Sequence, residues 1–145
     1  MIVKFRVHGT PAPQGSKVRT RYGMREASLL VGPWREAVVG QVMRDGNHDM
    51  NLDGPLYVEA VFWHKRPGKH YGTKNGQPYI KDNAPTWVAT TPDHDKCLRS
   101  TFDGLTQSGL IVDDSRIVVI YSEQRYSNDH FTGADIIVKQ IEETP

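Results

Sequence analysis

The sequence predicts a single α/β domain, residues 1–145, in which a mixed β-sheet carries about two main helices. The chain of 145 residues is long enough for one domain with a buried core, and it is 37% hydrophobic and 24% charged. Runs with strand-like alternation and runs with helical spacing of apolar residues follow one another, which is typical of α/β domains. We expect a basic loop near residues 9–25 and a long basic loop near residues 65–90.

The first half of the chain predicts a strand, a loop, a helix and a second strand. Residues 2–8 alternate in polarity, and the prolines and glycines that follow exclude regular structure. Pro33 suits the first turn of a helix that ends near Gly46. Residues 56–64 form the clearest strand, with one apolar and one mixed face, as expected for a sheet that is covered on one side.

The second half of the chain predicts one helix followed by two strands. The helix is expected over residues 93–108. The residues that form its apolar stripe are Leu98, Phe102 and Leu105. Strands are expected over residues 116–121 and 135–141, as antiparallel neighbours joined by a turn.

Cations cluster in both predicted loops, where we expect them to contact phosphate groups. In the first loop these residues are Lys17, Arg19, Arg21 and Arg25. In the second loop, which a small hairpin turn at Asn75–Gly76 interrupts, they are Lys65, Arg66, Lys69 and Lys74. The alternatives are a charged edge that discourages strand pairing for the first loop and a tip without a role for the second. The first loop lacks the spacing of a Walker loop, so no nucleotide cofactor is expected.

Charge is distributed unevenly along the chain although the formal net charge is only +1. Residues 1–81 contain 13 Lys and Arg against 6 Asp and Glu, whereas residues 82–145 contain 5 against 11. A basic half of this kind indicates a polyanionic partner such as nucleic acid, and the alternative is a solvated charged surface.

Acidic residues lie at both ends of the helix that is predicted in the second half. Asp93 and Asp95 stand at its start, and Asp113 and Asp114 follow the short apolar run after its glycine stop. A helix that returns to the sheet is expected to bring the second pair back near the first. Carboxylates gathered without matching cations repel one another, and a hard divalent cation with oxygen ligands removes that cost. The pattern therefore predicts a metal site, and the alternative is that each aspartate only caps a helix or forms a turn.

The residues around this helix match the motif of a known enzyme family. They are Asp93, Asp95, Arg99, Asp103, Leu105, Gly109, Asp113 and Asp114. This set resembles the core motif of the RusA family of Holliday-junction resolvases, which shows Asp-x-Asp-Asn, a lysine, Asp-x-Leu, Gly and Asp-Asp at this spacing. Residues 11–17, residues 33–37 and the closing strand pair also look like those of phage-borne members.

The resemblance implies roles for individual residues. The metal-binding aspartates of the family fall on Asp93, Asp95 and Asp114, and Asp113 is expected to be a fourth ligand or to orient one. Two positions depart from the family pattern, because Lys96 replaces its usual asparagine and Arg99 its usual lysine. We expect these two cations to stabilise the negative charge that develops on the scissile phosphate.

The resemblance also implies an activity. It predicts a homodimeric crossover junction endodeoxyribonuclease that uses Mg²⁺, or Mn²⁺ in its place, to resolve four-way junctions by paired nicks. Such an enzyme serves DNA recombination and repair, here for a phage or prophage, in the bacterial cytoplasm. No membrane association is expected, because no apolar run approaches spanning length. The alternatives are a nuclease with a broader substrate range that includes flaps and forks, and a DNA-binding protein that does not cut.

Overall fold

The structure is a computed structural model that describes residues 1–15, 17–20, 23–26 and 29–143, without the side chains of residues 17–20 and 23–26. The strands are β1 (Ile2–His8), β2 (Lys17–Thr20), β3 (Gly23–Glu26), β4 (Leu56–His64), β5 (Tyr71–Lys74), β6 (Gln77–Ile80), β7 (Ile117–Tyr126) and β8 (Gly133–Gln140). The helices are α1 (Val31–Arg44) and α2 (His94–Gln107). In the part of the chain that the structure describes, no helix combines the length and the apolar character needed to cross a bilayer.

The central sheet is mixed, as the sequence predicts. Its strand order is β1-β8-β4-β7, in which β8 runs antiparallel to both β1 and β4 while β7 runs parallel to β4. The prediction that the last two strands pair with each other is wrong. Although they run in opposite directions, β4 lies between them, because the connection after β7 is long enough to step across one strand.

Both helices cover the same face of the sheet. Alternate residues of β4, from Leu56 to His64, are buried on that face, while those between them are only half-buried. The same alternation in β1 buries Val3, Phe5 and Val7. This one-sided burial matches the apolar and mixed faces that the sequence shows for residues 56–64.

The contact between α1 and α2 is made by small residues. A Cβ added at Gly104 would lie 3.0 Å from the Cβ of Val38, so a larger side chain there would require the two helices to shift apart. The Trp34 indole donates a hydrogen bond of 3.0 Å to the Thr101 hydroxyl across this contact. The predicted stripe is therefore only partly correct: Leu105 is fully buried, but Leu98 and Phe102 are half-buried. Packing is centred instead on the residues Cys97, Ser100, Thr101 and Gly104.

Two hairpins extend from this core. The first consists of β2 and β3 and lies in the predicted basic loop near residues 9–25. The second consists of β5 and β6, and its turn residues Asn75 and Gly76 have φ of 52° and 76°, as a two-residue hairpin turn requires. The sequence-based prediction of this turn is confirmed, and part of the long loop is therefore regular structure.

Candidate metal and DNA-cleavage site

The first acidic pair lies at the N-terminus of α2. Asp93 is the N-cap residue in an extended conformation, but its carboxylate makes no capping hydrogen bond. The Asp93 side chain is 54% exposed and lies 3.4 Å from the Lys96 ammonium, while Asp95 is exposed in the first turn. The capping alternative is therefore not the role of the Asp93 carboxylate in this structure, and both carboxylates are accessible to a ligand.

Contacts with β7 hold this end of the helix in place. A ring nitrogen of His94 lies 2.7 Å from the Ser122 hydroxyl, and the Gln124 amide donates to the Pro92 carbonyl at 2.9 Å. The His94 ring also packs edge-on against Phe62. Burial lowers the pKa of His94, so the ring is neutral near pH 7 and adds no positive charge beside the aspartates.

The second acidic pair lies just before β7. Asp113 is the N-cap of a short 3-10 turn, Asp114–Arg116, and its carboxylate accepts a hydrogen bond of 2.9 Å from the Ser115 amide. Hydrogen bonding from the Ser115 side chain, and secondly from its backbone amide, lowers the pKa of Asp113. The Asp114 side chain is exposed. Asp113 therefore shapes the turn, whereas Asp114 is presented to solvent.

The two acidic pairs lie at opposite ends of α2. The helix contains 14 residues, which corresponds to a length of roughly 21 Å. Asp93 directly precedes the helix. Asp114 follows a segment in which Ile111 forms a β-bridge to Leu52, shortly before β4 begins. Among the described residues, no three His, Cys, Asp or Glu side chains are grouped closely enough to hold a metal ion. Contrary to the expectation from the sequence, the two pairs do not meet within one chain.

The loop that precedes the first hairpin rests on α2. The Gln14 amide N–H donates to the Lys96 carbonyl at 3.0 Å, and the Gln14 side chain donates to Asp103. Gly15 lies so close to the guanidinium of Arg99 that a Cβ there would collide with it. Arg99 is exposed one turn after Asp95, and Lys96 is half-buried. The basic hairpin therefore leaves the domain beside the cations of α2.

The structure does not describe the side chains of the cations that are predicted on this hairpin. Lys17 and Arg19 belong to β2 and Arg25 belongs to β3, but their side chains lie outside the described residues, as does Arg21 entirely. Their role in DNA binding remains a prediction.

Arg66 does not have the role that the sequence suggests. The residue is only 5% exposed, and its guanidinium donates to the carbonyls of Ser127 and Pro85 at 3.1 and 2.7 Å. It also donates to the Asn128 side chain at 2.8 Å and lies 3.1 Å from a ring nitrogen of His70. A guanidinium whose N–H groups are directed at protein acceptors is not available to a phosphate, so Arg66 is a structural residue.

The other cations of the second loop are exposed. Lys65, Lys69 and Lys74 project from the region around the β5–β6 hairpin, and Lys81 of the same loop is exposed as well. None of the ion pairs found among the described residues involves any of these four lysines.

The first half of β7 exposes apolar side chains on both faces of the strand. Val118, Val119, Ile120 and Tyr121 are each between 45% and 60% exposed, and β7 is an edge strand. Its second half is covered, because a segment around Trp87 bridges to Arg125. The sequence signal for this feature was present, since residues 117–121 are apolar at every position rather than at alternate ones.

Exposed carboxylates at a helix terminus, beside hairpins rich in cations, are typical of an enzyme that cuts nucleic acid. A family model agrees with this class and makes it specific. The model described as Endodeoxyribonuclease RusA matches residues 5–139, and the chain therefore belongs to this family of endodeoxyribonucleases. Membership implies activity on Holliday-junction DNA. Comparison with individually curated proteins gave no match.

Proposed function

We propose that this protein is a Mg²⁺-dependent endonuclease that resolves Holliday junctions by paired nicks, with Mn²⁺ able to substitute. The observation that carries the proposal is the pair of accessible, uncapped carboxylates on α2 in a chain of the RusA family. We place the enzyme in DNA recombination and repair, encoded by a phage or prophage and acting in the host cytoplasm where that DNA lies.

The proposed enzyme is a homodimer, and the exposed edge of β7 is the surface that supports it. An unpaired edge strand with several adjacent apolar residues exposes backbone N–H and C=O groups and apolar area together, which favours pairing with another strand. A second copy of the same chain would pair with these backbone groups and cover the apolar area, through a two-fold contact in which both copies use the same surface. Among the residues that the structure describes, the segment around Trp87 occupies the second half of this edge and leaves the first half of β7 for such pairing.

Antiparallel pairing of two β7 strands would complete the metal site. Centred on Val119 and Ile120, this pairing brings the start of one β7 beside the second half of the other. The second half of β7 holds the N-terminus of α2, through Ser122 and Gln124. Asp114 of one copy would then lie near Asp93 of the second copy, so each site combines both chains.

The donor set fits a hard divalent cation. Asp93 and Asp95 of one copy with Asp114 of the other offer carboxylate oxygens, the ligands that Mg²⁺ prefers, and no sulfur or imidazole ligand. Bound there, Mg²⁺ would supply an activated water and charge stabilisation at the phosphate. Asp113 supports Asp114 by shaping its turn.

The cations of α2 have a separate part in the proposed reaction. Lys96 and Arg99 flank the carboxylates and stabilise the negative charge that develops on the phosphate. Arginine stays protonated at any pH of interest, so Arg99 acts by charge and hydrogen bonding and does not transfer a proton.

The proposal is tested by offering the protein a labelled four-way junction, a matched linear duplex and a flap, each with Mg²⁺ and with EDTA. Paired, symmetric nicks in the junction alone that disappear in EDTA are the expected result. Equal cutting of the flap favours the broader branched-DNA nuclease, and binding without cutting in Mg²⁺ or Mn²⁺ overturns the proposed reaction. In the same assay, Asp93→Asn should abolish cutting while junction binding stays as strong or becomes stronger, because repulsion from phosphate is reduced.

A further inference from the structure

A groove runs from the start of α2 to the base of the β5–β6 hairpin. Two cavities of about 540 and 430 Å³ form it. They share Pro67, Thr90 and Tyr126 as lining residues and therefore lie side by side. The larger cavity reaches Pro92, which directly precedes Asp93, and the smaller one reaches Lys69. We call the combined feature the Tyr126 groove.

The floor of the Tyr126 groove is held in place by contacts within the protein. The Tyr126 ring packs edge-on against His70 with 4.7 Å between ring centroids, and the Arg66 guanidinium lies 5.5 Å from the same ring. Arg66 is tied in turn to the backbone carbonyls of Ser127 and Pro85. The groove is thus formed before any ligand arrives, which lowers the entropic cost of binding.

The rim of the groove carries positive charge that pairs with no carboxylate of the described residues. Lys65 and Lys69 line the two cavities, and none of the ion pairs among the described residues involves either of them or Lys81. Burial lowers the pKa of His70, and the charges of Arg66, Lys69 and Lys81 lower it further. Cations that gather around one surface in this way favour an anionic ligand.

We propose that the Tyr126 groove binds the stretch of one strand that is unpaired at the branch point of the DNA substrate, with Lys65 and Lys69 on its phosphates. The inference rests on the proposed function, because it concerns the strand that leads away from Asp93. The volume of each cavity falls within the range of roughly 300–1,000 Å³ that is typical of ligand pockets. The hydroxyls of Thr90 and Thr91 and the Tyr126 ring offer hydrogen bonds and an aromatic surface to a base.

The shape of the site favours an unpaired strand over a duplex. A nucleotide can enter a cavity between Pro67 and Thr90 only when its base is not held in a base pair. A duplex would touch the rim lysines alone and leave the Tyr126 ring uncontacted. Residues 65–70, which precede the β5–β6 hairpin, form one wall, and the segment that leads into α2 forms the other. A strand in the groove would therefore pass directly to the acidic residues.

The test measures binding of the full chain in EDTA, so that no cutting occurs. The double variant Lys65→Ala/Lys69→Ala is compared with Lys4→Ala/Lys139→Ala, whose two lysines are exposed on the opposite face of the sheet. The probes are a fork with unpaired arms and a linear duplex, followed by fluorescence anisotropy over a range of salt concentrations. Each phosphate contact on a single strand contributes about 0.7 to the salt dependence, so loss of two should lower the slope for the fork by about 1.4.

The expected result is a roughly 25-fold weaker binding of the fork at 0.1 M salt, because a slope change of about 1.4 acts over the one decade between 1 M and 0.1 M salt. The change for the duplex should be much smaller. Equal losses on both probes, or the same loss in the control variant, overturn the proposal. Thr90→Trp gives an independent check, because it fills the groove without removing charge and should weaken fork binding selectively. Failure of the proposed function appears separately, as absence of junction cutting in Mg²⁺ by the unsubstituted protein.

Discussion

The two edges of the sheet, β1 and β7, are built differently. In β1 buried and exposed residues alternate along the whole strand, and the outward residues include Lys4, Arg6 and His8. Arg6 forms an ion pair of 2.7 Å with Asp135 on the neighbouring strand. In β7 the alternation fails over Val118–Tyr121, where every side chain is apolar or aromatic and exposed.

We therefore call β1 the finished edge of the sheet and the first half of β7 its unfinished edge. Charged and hydrogen-bonded side chains on an edge strand discourage further pairing, and β1 has them. The first half of β7 lacks such side chains and lies between the two acidic ends of α2. The same strand therefore links two observations, the exposed apolar edge and the separated carboxylates, and one arrangement of two chains accounts for both.

The largest effect is expected from a charge placed in the unfinished edge. Ile120→Asp would leave a carboxylate unpaired in the proposed contact, at a cost of roughly 3 kcal/mol or more. Dimerisation should fail, and junction cutting should fall by about a hundredfold or more, since each 1.4 kcal/mol corresponds to about tenfold.

A matched control exists on the finished edge. Ile2 is 54% exposed in β1, against 50% for Ile120 in β7, so Ile2→Asp makes the same change at similar exposure. Sedimentation and nicking assays should show it unchanged. If both variants behave alike, the contrast between the edges has no functional meaning.

The cations of the second loop also differ in whether their hydrogen bonds are made within the protein. Arg66→Ala removes a buried guanidinium and leaves the carbonyls of Ser127 and Pro85 without donors, so we expect about 3 kcal/mol of destabilisation in urea. Lys74→Ala, in the same hairpin region but exposed, should change stability by less than about 0.5 kcal/mol. Equal stability of the two variants would contradict the structural role of Arg66.

A smaller effect is expected from the ion pair of the finished edge. Arg6→Ala breaks the contact with Asp135, but both side chains are nearly half exposed, so the loss should be about 0.2–1 kcal/mol. Junction cutting should not change, because β1 takes no part in the proposed site. A clear loss of cutting by a folded Arg6→Ala protein would contradict the assignment of the site to the β7 edge.

Acid should weaken the β7 side of the sheet. Burial lowers the pKa of His64 and of His94, which contact the second half of that strand through Gln124 and Ser122. Because both folded pKa values lie below the usual value near 6.5, their contribution to stability is complete above about pH 6.5 and is lost as the pH falls through the lowered values. The melting temperature should drop on acidification, and His94→Gln should reduce that dependence. A melting temperature independent of pH in this range would contradict the inference.

Local patterns in the sequence predicted much of the fold. The alternation of residues 56–64, the bounds of α2 and the turn at Asn75–Gly76 each depend on neighbouring residues, and the structure has all three. Strand order does not depend on neighbours alone. The position of β4 between β7 and β8 follows from how the helices cover the sheet, which no short segment encodes.

In the candidate site, too, only the features that depend on neighbouring residues could be predicted from the sequence. Asp93 and Asp95 were located correctly at the start of a helix because helix signals are local. The sequence does not reveal how far Asp114 lies from them, because the path of the chain after α2 depends on the bridge between Leu52 and Ile111. Arg66 looked like one more cation in a basic run, and only the tertiary contacts reveal its burial.

The most direct test of the shared site uses two inactive chains together. Asp93→Asn and Asp114→Asn proteins, co-expressed with different tags, are purified as a mixed dimer and offered a four-way junction in Mg²⁺. If each site takes Asp93 from one chain and Asp114 from the other, the mixed dimer has one site with both substitutions and one with neither. The account predicts that nicking returns as single, unpaired cuts, while each variant alone stays inactive. If the mixed dimer forms but cuts no better than either variant alone, the site is not shared between chains.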